Sequence, residues 1–186
     1  GTEVASFNHL IGPPVQEIFR KALACNNETI LDQLNNAFRN FYDGGAWKKS
    51  LLYPGIEEFI GNLLRKDVTL SVLTNKPTLP TFRILDYLGF RKYFEAIISP
   101  DSRNPSFSSK TEAAVALAVD LNLVPESTWL IGDSEDDAAA AADCGFQFAA
   151  AAYGYGKGYL HTKHPIHLTI HKSENLNEQF QSSSTY

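Results

Sequence analysis

The sequence contains no methionine and only two cysteines, Cys25 and Cys144. The two cysteines give no disulfide framework, no C-x-x-C and no zinc spacing, and both read as inert. Gly1, heading a chain without methionine, reads as a residue left by tag removal. No apolar run approaches the ~20 residues that span a bilayer, and the first residues lack a basic-then-apolar leader pattern. The expectation is a soluble, cytoplasmic protein with no membrane partner. There is also no run of lysine and arginine, and the net charge is −5. A backbone-tracking nucleic-acid surface is therefore not expected, and an anionic substrate would need local positive charge.

What is present is an ordinary globular composition, 44% hydrophobic, with two distinct rhythms. Val15, Ile18, Phe19, Ala22 and Leu23, then Ile30, Leu31, Leu34, Phe38 and Phe41, recur at helical spacing and predict a helical hairpin. Pro14 suits its first turn, Asn26 and Asn27 separate the two helices, and Gly44-Gly45 ends it. A third helix follows over Ile56 to Leu64. From there short β-rich runs alternate with helices: strands at 68–74, 96–99, 128–131, 146–151 and 167–170, and helices at 79–88, 110–121 and 135–144. Alternation of this kind predicts an α/β fold, a Rossmann-like parallel sheet with helices on both faces. The strands V-T-L-S-V-L, W-L-I and F-Q-F-A-A are almost continuously apolar or small, as strands covered on both faces are. The organisation expected is a helical segment over 1–50, an α/β core over 51–174 and a C-terminal tail over 175–186, disordered from Gln179 onward.

In parallel sheets ligands gather beyond the carboxyl ends of the strands. Thr74-Asn75-Lys76-Pro77 follows the first strand, Asp101 the second, and Gly132-Asp133-Ser134-Glu135-Asp136-Asp137 the third, with Lys110 opening the intervening helix. Asp133 and Asp137, four residues apart across a strand-to-helix turn, can face one Mg²⁺ that keeps several waters. Thr74, Asn75 and Lys76 offer a hydroxyl and N–H groups to a phosphate, and Lys110 offers charge to the transferring group. Each piece also has a plain reading. Acidic residues favour the first turn of any helix, Thr74-Asn75 can end a strand, Lys110 can be a surface lysine, and Asp101 beside Pro100 can be a turn residue. His161, His164, His167 and His171 share no carboxylate or cysteine at metal spacing and are read as structural or solvated. Tyr42, Tyr53 and Trp47 serve either to line a substrate pocket or to pack the hairpin on the core.

T-N-K-P with G-D-S-x-x-D resembles the haloacid dehalogenase superfamily, in its phosphoglycolate phosphatase-type branch, over residues 54–170. That resemblance implies a helical cap for residues 1–50 and Mg²⁺-dependent hydrolysis of a small phosphorylated metabolite through an aspartyl-phosphate. It implies Thr74 as phosphate binder and catalytic group, Lys110 as catalytic lysine, Asn75 and Lys76 as substrate contacts, and Asp133 and Asp137 as metal ligands. Gly154-Tyr155-Gly156 is similar to the family's usual continuation. Two departures stand out. Lys110 is followed by Thr111-Glu112, where the family has proline, and the D-x-D-G-T motif at the end of an apolar strand is absent.

The absent motif would supply the nucleophile, the general acid and part of the metal coordination, so these residues alone are expected to show no appreciable turnover. The strand carrying it would lie between those at 68–74 and 128–131. Either those neighbours close up, or another chain fills the slot, or the product is truncated; an upstream reading frame containing the motif is the expectation. A homodimer formed by strand exchange is a further expectation. The competing readings are a non-catalytic scaffold that binds phosphate and metal, and a haloacid dehalogenase, against which the paired metal acids argue.

Overall fold

The computed structural model describes residues 15–156 and 162–182. Pro14, His161 and the last four residues of the expected tail, 183–186, lie outside these. Helices α1 (Val15–Leu23) and α2 (Glu28–Asp43) form the hairpin. Asn27 caps α2, its side-chain oxygen accepting from the Ile30 N–H at 3.2 Å. The Phe19 and Phe38 rings meet edge to face at 6.3 Å, and Leu31 is fully buried.

Helix α3 (Ile56–Arg65) opens at Gly55, which has φ +80°. A Cβ there would lie 3.0 Å from the Glu174 Cα, so backbone conformation and close packing both call for glycine. Beyond α3 the parallel elements follow in alternation: β1 (Ser71–Leu73), α4 (Thr78–Tyr87), β2 (Ala96–Ile98), α5 (Lys110–Asp120), β3 (Trp129–Gly132), α6 (Glu135–Asp143), β4 (Gln147–Ala151) and β5 (Leu168–Ile170). The core lies on β4. On one side Phe146, Phe148 and Ala150 pack against Ala138 and Ala141 of α6, whose small side chains let helix and sheet approach closely. On the other, Ala149 and Ile170 meet Phe59 and Leu176. Each large apolar side chain buried this fully contributes about 1.5–3 kcal/mol.

The sheet is in two pieces. Among the described residues strand β1 pairs with β2 alone, with Ser71 opposite Ala96, while β3, β4 and β5 form a separate parallel ladder with Trp129 opposite Gln147 and Ala149 opposite Leu168. Strands β1 and β3 do not pair, so of the three alternatives the direct closing-up of these neighbours does not occur. A cleft of about 660 Å³ separates them. The tail expectation is also corrected, because residues 176–182 form helix α7 (Leu176–Ser182). Leu176 is 1% exposed, and the Phe180 ring contacts Phe59 at 5.4 Å and Trp129 at 5.1 Å. The polar composition of the segment hid an apolar pair four residues apart, at helical spacing.

Candidate functional site

Asp133 leaves the end of β3, and Asp137 sits in the first turn of α6. The loop between them is a capping box: the Ser134 hydroxyl oxygen accepts from the Asp137 N–H at 3.2 Å, while Asp137 Oδ2 accepts from the Ser134 N–H at 3.0 Å. Asp137 Oδ2 also accepts from the Ser134 hydroxyl at 2.6 Å and the Asp133 N–H at 3.2 Å. Its other oxygen receives Lys110 Nζ at 2.6 Å, and both side chains of that pair are 9% exposed. The plain helix-start reading and the functional reading thus meet in one residue. The S-x-x-D spacing at 134–137 is the signal that marks it.

Glycines shape the space around both acids. A Cβ on Gly132 would come within 2.5 Å of Asp137 Cβ, one on Gly154 would overlap Asp133 Oδ2, and one on Gly156 would overlap the Asp133 carbonyl oxygen. The Gly156 N–H donates to Asp133 Oδ2 at 2.7 Å. Asp133 therefore turns toward the 154–156 loop, whereas Asp137 turns toward Lys110. Tyr53 and Tyr153 stand nearby with rings 5.0 Å apart. Burial pushes both phenols above their ordinary range, helped by Tyr155 beside Tyr53, by Tyr53 beside Tyr153, and by the charge of Asp133 on each.

The phosphate-side groups gather in a second cavity of about 340 Å³, lined by Thr74, Asn75, Ser109, Lys110 and Asp136 among others. The Thr74 side-chain oxygen accepts from the Lys76 N–H at 3.1 Å, which fixes the turn after β1. Asn75 Nδ2 reaches Asp136 Oδ2 at 3.4 Å, tying the end of β1 to the start of α6. Sequence reasoning gives Asp136 no role of its own. Lys76 points elsewhere: its Nζ donates to the Tyr42 hydroxyl at 3.2 Å and stands 4.7 Å from the centre of that ring. It is thus a contact between hairpin and core. Asp101 ties β2 to α4, accepting from the Thr78 N–H and hydroxyl at 2.8 Å each. Burial works against its ionisation, but these bonds outweigh it and hold the carboxyl below its usual range.

So Thr74, Asn75 and Lys110 share one cavity, Asp137 joins it through Lys110, and Asp133 faces the adjoining glycine loop. A phosphate-sized anion and a charge-compensating group at the ends of parallel strands are what this arrangement accommodates. Residues 2–151 match the model of the haloacid dehalogenase-like hydrolases. The chain belongs to that family. Among its relatives, the phosphoglycolate phosphatase of Nitrosococcus oceani is 30% identical over 153 residues, 80% of this chain and 68% of that one. The phosphoglycolate phosphatase of Salmonella typhimurium is 30% identical over 125 residues, 67% of this chain and 49% of that one. The chain therefore spans between about half and two thirds of the length of these two relatives. A haloacid dehalogenase-like hydrolase from Streptococcus pneumoniae shares the fold with a TM-score of 0.82 at 21% identity, covering 97% of this chain and 83% of that one. No helix among the described residues is long and apolar enough to cross a membrane.

The Mg²⁺ that this family implies can be tested against the donors present. Among the described residues, no group of three or more histidine, cysteine, aspartate or glutamate side chains is gathered to hold a metal. Magnesium requires only one or two carboxylates when it keeps its waters and shares substrate oxygens. Asp133 and Asp137 meet that minimum, although Asp137 is already engaged by Lys110.

Proposed function

We propose that this chain carries the phosphate- and cation-binding part of a phosphatase acting on a small organic phosphate monoester of the phosphoglycolate type, and that these 186 residues bind without turnover. The carrying observation is the buried Lys110–Asp137 pair set between Thr74 and Asn75 at one strand end and Asp133 at the other. Thr74 and Asn75 orient phosphate oxygens, and Lys110 supplies the positive charge. Asp133 and Asp137 would hold Mg²⁺, which when bound neutralises charge on the phosphoryl oxygens. Lys110 is shared between Asp137 and an incoming anion. With a cation held by Asp133 and Asp137, Lys110 would be free to meet the anion, and cation and phosphate would then bind with positive coupling.

These residues contain no D-x-D, and hence no aspartate pair of the spacing that supplies nucleophile and general acid. The proposal is tested by calorimetric titration of inorganic phosphate with and without Mg²⁺, alongside hydrolysis of phosphoglycolate. The expected result is phosphate affinity raised severalfold by Mg²⁺ with no hydrolysis above background. Equal affinity in both arms defeats the shared-lysine account; measurable hydrolysis defeats the claim of binding without turnover. A second reading, a non-catalytic binding protein, draws its support from the open sheet.

A further inference from the structure

The ammonium of Lys110 brings positive charge to the phosphate cavity, and its aim depends on where α5 begins. Lys110 is the first residue of that helix, so its Cα is set by the first turn. A flexible four-carbon stem gives the side chain no rigidity of its own, and a shift of the turn carries the charge with it. The body of α5 is held on the core by Ala113, Ala114 and Leu117, all buried. Its first N–H groups have no acceptor within the helix. With threonine and not proline at 111, no ring fixes the backbone there.

A polar network takes on that task. The Ser109 hydroxyl oxygen accepts from the Glu112 N–H at 3.1 Å, and the Glu112 carboxylate accepts in return from the Ser108 N–H and hydroxyl at 2.7 Å each. The other carboxylate oxygen accepts from Arg103 Nη2. The Arg103 guanidinium lies over the Phe107 ring, 4.0 Å from its centre, and the Phe107 N–H donates to Pro100 O at 2.8 Å. One carboxylate thus joins the 100–107 loop, the approach to α5 and its first turn. Pro100, Phe107, Ser108, Ser109 and Lys110 all line the phosphate cavity, whereas Glu112 does not, and its side chain is 39% exposed. The bonds from the Ser108 N–H and then its hydroxyl, with Arg103 adding to them, hold the Glu112 carboxyl below its usual range.

We propose that Glu112 is a positioning residue: through Ser108 and the first turn of α5 it sets the Lys110 ammonium between Asp137 and the anion. The inference rests on the reading of the cavity as a phosphate site. It also fixes the sign of the test. A carboxylate near an anion site opposes binding by its charge alone, so removing that charge without moving Lys110 tightens phosphate, and only misplacement of Lys110 weakens it.

Glu112→Gln removes the charge but keeps an oxygen to accept from Ser108, whereas Glu112→Ala removes both. The full chain is labelled with acetic anhydride, each lysine being followed by mass spectrometry, and inorganic phosphate is titrated by calorimetry. In the unaltered chain Lys110, paired with Asp137 and 9% exposed, is expected to label slowly. Glu112→Ala is expected to speed labelling of Lys110 severalfold while the exposed Lys66 and Lys172 stay unchanged. Phosphate is expected to bind about tenfold more weakly to that variant, as loss of one charge-assisted hydrogen bond entails. Glu112→Gln is expected to label like the unaltered chain and to bind phosphate at least as tightly. The proposal is overturned if Lys110 labels equally in all three chains or if the glutamine variant matches the alanine variant. It is also overturned if every lysine speeds up together, which would make Glu112 a stabilising residue only. Labelling requires no phosphate: an unaltered chain that binds none overturns the reading of the cavity, and the labelling ratio still decides the positioning of Lys110.

Discussion

Lys110 and Asp137 are each 9% exposed, and at that depth the loss of one partner leaves a charge with no solvent to take it up. Lys110→Ala is expected to cost about 3 kcal/mol, a fall in Tm of roughly 6–12 °C, together with loss of phosphate affinity in the same calorimetric titration. A variant that loses phosphate but keeps its Tm would show the pair to be only functional. Gly154 belongs to the same scale. Its Cβ would overlap Asp133 Oδ2, so Gly154→Ala is expected to displace that carboxylate and weaken Mg²⁺ binding, with phosphate affinity in metal-free buffer little changed. The residue types of this site could be read from the sequence, because a lysine, a threonine and two acids at strand ends carry their chemistry in their spacing. Their division of labour could not. Asp133 faces the 154–156 loop and Lys76 faces Tyr42 because of packing between segments remote in sequence.

Between elements, two polar ties define how loops close on the core. Asp101 holds the first turn of α4 through two bonds from Thr78, and those bonds keep its carboxyl below the ordinary value of 3.8. A depressed carboxyl contributes stability that is fully present above its unfolded pKa and disappears as pH falls through the lower folded value. Exchange of the Thr78 amide is therefore expected to quicken, relative to its intrinsic rate, as pH drops below about 3.9, and Asp101→Asn is expected to remove that acid dependence. The hairpin is tied down by Lys76 against Tyr42 and by Arg83 against Asp43 at 3.2 Å. Tyr42→Phe keeps the ring under the ammonium and loses only the hydroxyl acceptor, whereas Tyr42→Ala loses both. Exchange across α1 and α2 is expected to change little in the first variant and to rise in the second. The helix positions were legible in the apolar periodicity, with ends within a few residues. Helix α7 was not, because two aromatic and aliphatic contacts, Leu176 and Phe180, anchor a segment whose composition is otherwise polar.

Across the whole molecule stability is unevenly distributed, and the split sheet sets the gradient. Strand β4 is paired on both edges and packed on both faces, while among the described residues β1 and β3 each have one edge without a strand partner. Hydrogen exchange of the chain alone is expected to be slowest at Phe148 to Ala150 and fastest, among strand residues, at Ser71, Leu73 and Ile131. Uniform protection along the five described strands would contradict this gradient. The alternation of short apolar strands with helices, and the polar groups at the strand ends, belong to the sequence itself, since hydrophobic period and turn chemistry are local properties. Whether β1 and β3 meet was decided only in three dimensions. Each is apolar enough to be covered on both faces, but among the described residues they fall in separate ladders with a cleft between them, and no local pattern records how segments some 60 residues apart are placed.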